Sequence, residues 1–182
     1  MKRILFSLYL LCNALFVWSQ TTNYYTATRT FEVDGCTYQC DVPSYGMVYI
    51  YKKDNPFREI PMLYKGTTEV YGTPENEDIP VIERSSYKAN APKYKAIMQT
   101  LFDKHHGKLE SDRSLIVTLF LDSQTGKVRE VEFSFYDEAS FGIIPIEDFI
   151  RVEQELKEKI QITPTSEGKK LNYIFFWWEQ HP

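Results

Sequence analysis

The stretch "LIVTLFLDSQTGKVREVEFSFYD", residues 115–137, constrains the fold more than any other part of the chain. Two runs with apolar side chains at alternate positions flank the turn-forming "SQTG", so they pair as an antiparallel hairpin. Val131, Phe133 and Phe135 then share a face with Leu115, Val117 and Leu119, while Glu130, Glu132 and Ser134 point the other way. The apolar face has to be covered, and the flanking segments can cover it. Asn90 can cap a helix opened by Ala91-Pro92, in which Tyr94, Ile97, Met98, Leu101, Phe102 and His105 recur at three- and four-residue steps until Gly107 stops it. Pro145 opens a second helix with Ile146, Phe149, Ile150, Val152, Leu156 and Ile160 near one face, and Glu147 and Asp148 near its positive end.

The closing strand is "LNYIFFWWEQ", residues 171–180. A helical crossover makes it parallel to the second strand of the hairpin, so the first is antiparallel to both, and a three-stranded sheet of order two, one, three is expected. Tyr173, Phe175 and Trp177 occupy one face of this last strand and Ile174, Phe176 and Trp178 the other. A strand apolar on both faces is expected to be covered on both sides. The other reading gives one aromatic face, or the free edge, to another chain.

Upstream, residues 24–71 are rich in Tyr, Thr, Val and Phe and are broken by turn residues, which reads as a meander of short antiparallel strands. Within it, the Asp34-Gly35 turn of "FEVDGCTYQC" pairs Val33 with Cys36, Phe31 with Tyr38 and Arg29 with Cys40. Cys36 and Cys40 would then stand roughly 13 Å apart, beyond the roughly 7 Å a disulfide spans between α-carbons. The pair reads as free buried thiols, with a turn-forced disulfide and a metal or redox role as the alternatives. "GTPENEDIP", residues 72–80, reads as an exposed acidic connector. The expected fold is therefore α+β: one domain over residues 20–182, with an N-terminal antiparallel β meander (20–80) followed by an α-β-β-α-β unit (85–182).

The first nineteen residues, "MKRILFSLYLLCNALFVWS", place Lys2 and Arg3 before an apolar run and read as a secretory signal cleaved after Ser19. The run is shorter than the roughly 20 residues of a membrane-spanning helix, so export to the periplasm or the exterior without stable membrane insertion is expected. Its removal leaves 19 cationic against 25 anionic side chains, a charge of about −6. An acidic chain without a basic stripe disfavours nucleic acid as a partner.

Few residues suggest chemistry. His105 and His106 are adjacent, so on a helix they diverge by about 100° and cannot converge on one ion; His105 reads as structural. Glu153, Glu155 and Glu158 lie among lysines, and Glu155 with Lys159 forms the four-residue pair of a solvated helix face. No nucleophile elbow, phosphate loop, dinucleotide fingerprint or zincin motif is present. No catalytic residue, metal ligand or cofactor is expected, and the chain reads as non-enzymatic.

The runs "LIVTLFLDSQTGKVREVEFSF", "EDFIRVEQELKEKI" and "LNYIFFWWEQ" resemble, over residues 90–180, the TonB carboxy-terminal domain, with its hairpin closing on Gly-Lys-Val, amphipathic helix and final strand. The resemblance implies that fold, and contact with a partner's extended segment by addition to the last strand. A cleavable signal and a β-rich segment stand here where that family's energy transducers carry a retained membrane helix and a Pro-rich spacer. The whole chain is also similar to small secreted proteins of unknown function from gut Bacteroidetes. The functional expectation is a non-catalytic interaction protein that contacts an envelope protein or peptide through Tyr173, Ile174, Phe175, Phe176, Trp177 and Trp178. The alternatives are a surface glycan-binding protein, to which Tyr45, Tyr49 and Tyr51 could contribute stacking faces, and a small hydrolase.

Overall fold

The computed structural model describes residues 23–73, 77–136 and 140–182. The signal-peptide reading of residues 1–19 and the middle of the acidic connector lie outside the described residues. Six strands form one antiparallel sheet: β1 (Arg29–Val33), β2 (Cys36–Asp41), β3 (Met47–Lys52), β4 (Leu115–Leu121), β5 (Val128–Tyr136) and β6 (Ile174–Gln180), in the order β1-β2-β3-β5-β4-β6. Helices α1 (Arg84–Lys104) and α2 (Ile146–Lys159) supply the apolar cover.

The expected three-stranded sheet is corrected by the pairing of β3 with β5, in which Tyr49 lies opposite Ser134 and Ile50 opposite Phe133. The meander is therefore not a separate layer. Its last strand satisfies the backbone edge that β5 would otherwise leave open, and Val48 and Ile50 extend the apolar face begun by Phe133 and Phe135. Within the larger sheet the hairpin and the last strand do lie in the order β5-β4-β6, with β4 antiparallel to both neighbours.

Local chemistry accounts for the turns. Asp34 and Gly35 have φ of 51° and 74°, the left-handed pair that a two-residue hairpin demands, and the register is Val33 with Cys36, Phe31 with Tyr38 and Arg29 with Cys40. Asp122 caps the β4–β5 turn by accepting hydrogen bonds from the N–H groups of Gln124 and Thr125 and the Thr125 hydroxyl, which holds its carboxyl below the usual range.

Helix α1 begins six residues before Asn90, capped by Glu83 without a side-chain bond, so Pro92 lies inside it. Proline there deprives the Lys88 carbonyl of its partner. Both Lys88 and Pro92 are exposed, so water can satisfy that carbonyl. Asn90 is buried and ties the helix down instead, its Nδ2 donating to the carbonyls of Ser86 and Gln161. Residues 53–73 and 77–83 continue the amino-terminal half as irregular chain rather than further strands, apart from isolated bridges of Leu63 with Val70, Tyr64 with Leu171 and Ile82 with Pro164. Part of this segment crosses the sheet face away from the helices, where Phe57 stacks on Phe120 at 6.0 Å and tilts against Tyr173 at 5.0 Å. Glu132 and Ser134, which the alternation alone directs to solvent, are both buried, and Arg58 of the crossing segment bonds Glu132.

Candidate functional site

Strand β6 lies at the end of the sheet order and, among the described residues, pairs only with β4. Its helix-facing side is closed: Phe176 meets Tyr87 edge-on at 5.5 Å, and Trp178 lies 4.5 Å from the Tyr94 ring. Its other side is not. Tyr173 is buried beneath Phe57, but Phe175 and Trp177 are 40% and 52% exposed, which corrects the expectation that the strand is covered on both faces. The reason is the length of the crossing segment, whose contacts reach Tyr173, just before β6, and Phe175 within it.

The backbone edge is divided in the same way. Residues 62–65 shield its start: Asn172 N–H donates to the Leu63 carbonyl at 2.9 Å, Leu171 bridges to Tyr64, and Phe175 N–H donates to Met62 Sδ at 3.2 Å. Because Phe175 N–H points away from β4, strand alternation also sends the N–H and C=O groups of Trp177 and Glu179 outward. No backbone partner for these outward groups occurs among the described residues. The sequence-predicted set thus divides: Ile174, Phe176 and Trp178 belong to the helix-facing side, Tyr173 to the covered part of the other face, and Phe175 and Trp177 to solvent.

Three charged networks were not legible as sites. On the open face, Arg58 pairs with Glu132 and, at 3.4 Å, with Asp41, and its guanidinium lies 3.7 Å above the Tyr51 ring. Burial raises the Glu132 carboxyl, and Arg58 partly offsets that rise. Between the helices, Asp148 is 2% exposed and accepts hydrogen bonds from Lys104 at 2.6 Å and Arg151 at 3.0 Å, with His105 Nε2 at 3.0 Å. Burial alone would raise its carboxyl; the bonds from Lys104 and His105 and the two cations outweigh burial and hold it low. On α2, Glu153 is buried rather than solvated, bridged to Lys157 at 2.6 Å and raised by desolvation, whereas Glu155 and Lys159 do form the expected surface pair at 2.6 Å. Cys36 and Cys40 are unbonded. Among the described residues no group of His, Cys, Asp and Glu could hold a metal ion, and no helix is long and apolar enough to cross a membrane.

The family model for DUF5043, a domain of unknown function, matches residues 21–178. The chain belongs to the DUF5043 family. A crystal structure of a DUF5043 family protein from Bacteroides uniformis ATCC 8492 is similar over 88% of this chain and 95% of that one, with 34% sequence identity and a TM-score of 0.73. None of the curated proteins compared with the chain gives a significant match.

The DUF5043 match corrects the resemblance to the TonB carboxy-terminal domain, which is not indicated. It runs without a break through the meander and the second half, in keeping with the β3–β5 pairing that joins them. A hairpin, an amphipathic helix and a last strand recur in many unrelated sheets, so their order carried little family information. In this DUF5043 chain, interest in β6 rests on its own edge and not on a borrowed mode of contact.

Proposed function

We propose that this chain is an exported, non-catalytic binding protein that takes an extended segment of a partner protein onto the outer edge of β6. The observation that carries this reading is the edge position of β6, with the backbone groups of Trp177 and Glu179 directed outward. Unpaired strand groups at an edge are a template for another strand, and strand addition supplies affinity through main-chain hydrogen bonds. The exposed Phe175 and Trp177 favour a segment with apolar residues at alternate positions, which would cover them from the neighbouring strand. Glu179 keeps one charge on the edge and works against indiscriminate pairing. Export is supported by the basic, then apolar run of residues 1–19, which the DUF5043 match leaves outside the domain.

The test is selection of displayed nine-residue peptides on the purified protein, followed by amide NMR of a selected complex. Binding should shift the amides of Trp177 and Glu179 and slow their hydrogen exchange, and Trp177→Pro should abolish binding while the thermal midpoint stays within a few degrees. Selected peptides whose shifts map away from β6, or binding untouched by Trp177→Pro, would overturn the proposal.

A further inference from the structure

The open face holds a second feature, at the other end of the sheet, that strand addition does not use. Two clefts of about 660 and 440 Å³ adjoin one another, and both are lined by Arg58 and Glu59. The larger also takes in Asp41, Tyr45 and Tyr49, and the smaller Gln39, Tyr51 and Asn55. Tyr45 is 68% exposed, yet it is propped: its ring meets Tyr49 at 6.5 Å and 74°, and the two hydroxyls are 3.3 Å apart. A phenol held upright in this way offers a ring face to a ligand at little entropic cost.

The charges narrow the ligand class. The Arg58 guanidinium already covers the Tyr51 ring and lies 5.5 Å from that of Tyr49, so those rings' cation-binding faces are taken. Glu132 and Asp41 neutralise Arg58, so it offers an anion little. What is left unspent is hydrogen bonding. The Glu59 carboxylate is exposed and forms no ion pair among the described residues. Asn55 is 9% exposed; its Oδ1 accepts from Phe57 N–H at 2.9 Å, but its buried Nδ2 has no acceptor. A buried, unpartnered amide donor on a residue that lines a cleft, with an exposed carboxylate acceptor beside it, is an arrangement that a hydroxylated ligand can satisfy.

We propose that the paired clefts bind a neutral oligosaccharide of at least two units, one ring stacked on Tyr45 and the hydroxyls divided between Glu59 and Asn55. Pyranose rings have the required apolar C–H face and ring of hydroxyls. Two units follow from the two clefts, which share Arg58 and Glu59 in their linings. Combined volumes of this order suit small ligands.

Isothermal titration of the full chain with cello-, malto-, xylo- and β-1,4-galacto-tetraoses and with the corresponding disaccharides tests the proposal. At least one tetraose should bind, more tightly than its disaccharide, and Tyr45→Ala and Glu59→Gln should each weaken it about tenfold with unchanged thermal midpoints. Trp177→Pro should leave that affinity unchanged, which separates this site from the β6 edge. No heat with any of the eight sugars, or binding indifferent to both Tyr45→Ala and Glu59→Gln, would overturn it.

Discussion

Arg58 and Glu132, 74 residues apart in the chain, form an ion pair that fastens the crossing segment to the centre of the open sheet face. The Glu132 side chain is 12% exposed and that of Arg58 24%, so the pair is largely dehydrated. Removing one member of such a pair strands the other. Arg58→Ala should cost about 2–4 kcal/mol in urea unfolding, somewhat below the roughly 3–5 kcal/mol of a fully buried pair. Adding Glu132→Gln should recover part of that loss. The sign with pH is set by the raised Glu132 carboxyl: its charged form is penalised in the fold above its folded pKa, and the penalty fades as pH falls toward the ordinary value of 4.5. Arg58→Ala deepens that penalty, so the gap between variant and parent should narrow on acidification from pH 7. A gap that stays constant with pH would show that Arg58 acts through its stacking on Tyr51 and not through Glu132.

Asp148 joins the first turn of α2 to the last turn of α1, where Lys104 and His105 reach it. It also stands at the positive end of its own helix. Asp148→Asn keeps the shape and loses the charge, and should destabilise by about 2–4 kcal/mol at pH 7. A carboxyl held below its unfolded value stabilises fully above that value, 3.8, and the contribution is lost as pH falls through the folded pKa. The difference between parent and Asp148→Asn, read by thermal unfolding, should therefore hold from pH 7 to pH 5 and shrink below 3.8. A difference independent of pH throughout would remove the electrostatic account.

Legibility in the sequence followed the range of the interaction. The β1–β2 register was readable because Asp34-Gly35 fixes the turn, and the β4–β5 hairpin and α2 because alternation, "SQTG" and Pro145 act within a few residues. The β3–β5 pairing was not, since Ile50 and Phe133 are ordinary strand residues whose partnership depends on which edges the whole chain leaves free. The start of α1 was misplaced because Pro92 fits a first turn better than an interior; only the exposure of Lys88 shows how the interior is tolerated. For the candidate site, the aromatic strand stood out, but its split into covered Tyr173 and exposed Phe175 and Trp177 depends on where a segment more than a hundred residues upstream crosses. Arg58, in a stretch of turn residues, carried no local mark of its contact with Glu132.

The two thiols should differ in reactivity. Cys40 is fully buried and its thiol is pushed up to about 11 by desolvation, while Cys36 is half-buried on the same sheet face. Brief iodoacetamide treatment at pH 8 should label Cys36 in the folded protein, and Cys40 only after denaturant is added, as read by peptide mapping. Full protection of both, reversed by reductant, would mean a disulfide and would break the hairpin register that sets them on one strand.

Strand alternation makes β6 unequal from one residue to the next. Ile174 is fully buried, and its backbone N–H faces Leu121 of β4, whereas Trp177 directs its N–H outward. Proline removes an N–H and is tolerated in a sheet only where that group faces solvent. Ile174→Pro should therefore lose a ladder bond and a buried side chain, costing about 3 kcal/mol or more. Trp177→Pro should cost under about 1.5 kcal/mol, because it removes an exposed ring and an unpaired donor. The two variants, compared by thermal unfolding alongside amide exchange of the parent, locate the free edge. Rapid exchange at Trp177 and Glu179 with protection at Phe176 and Trp178 is the expected pattern. Equal destabilisation by both prolines, or protection at Trp177, would place that backbone group inside a ladder and close the edge on which the proposed binding depends.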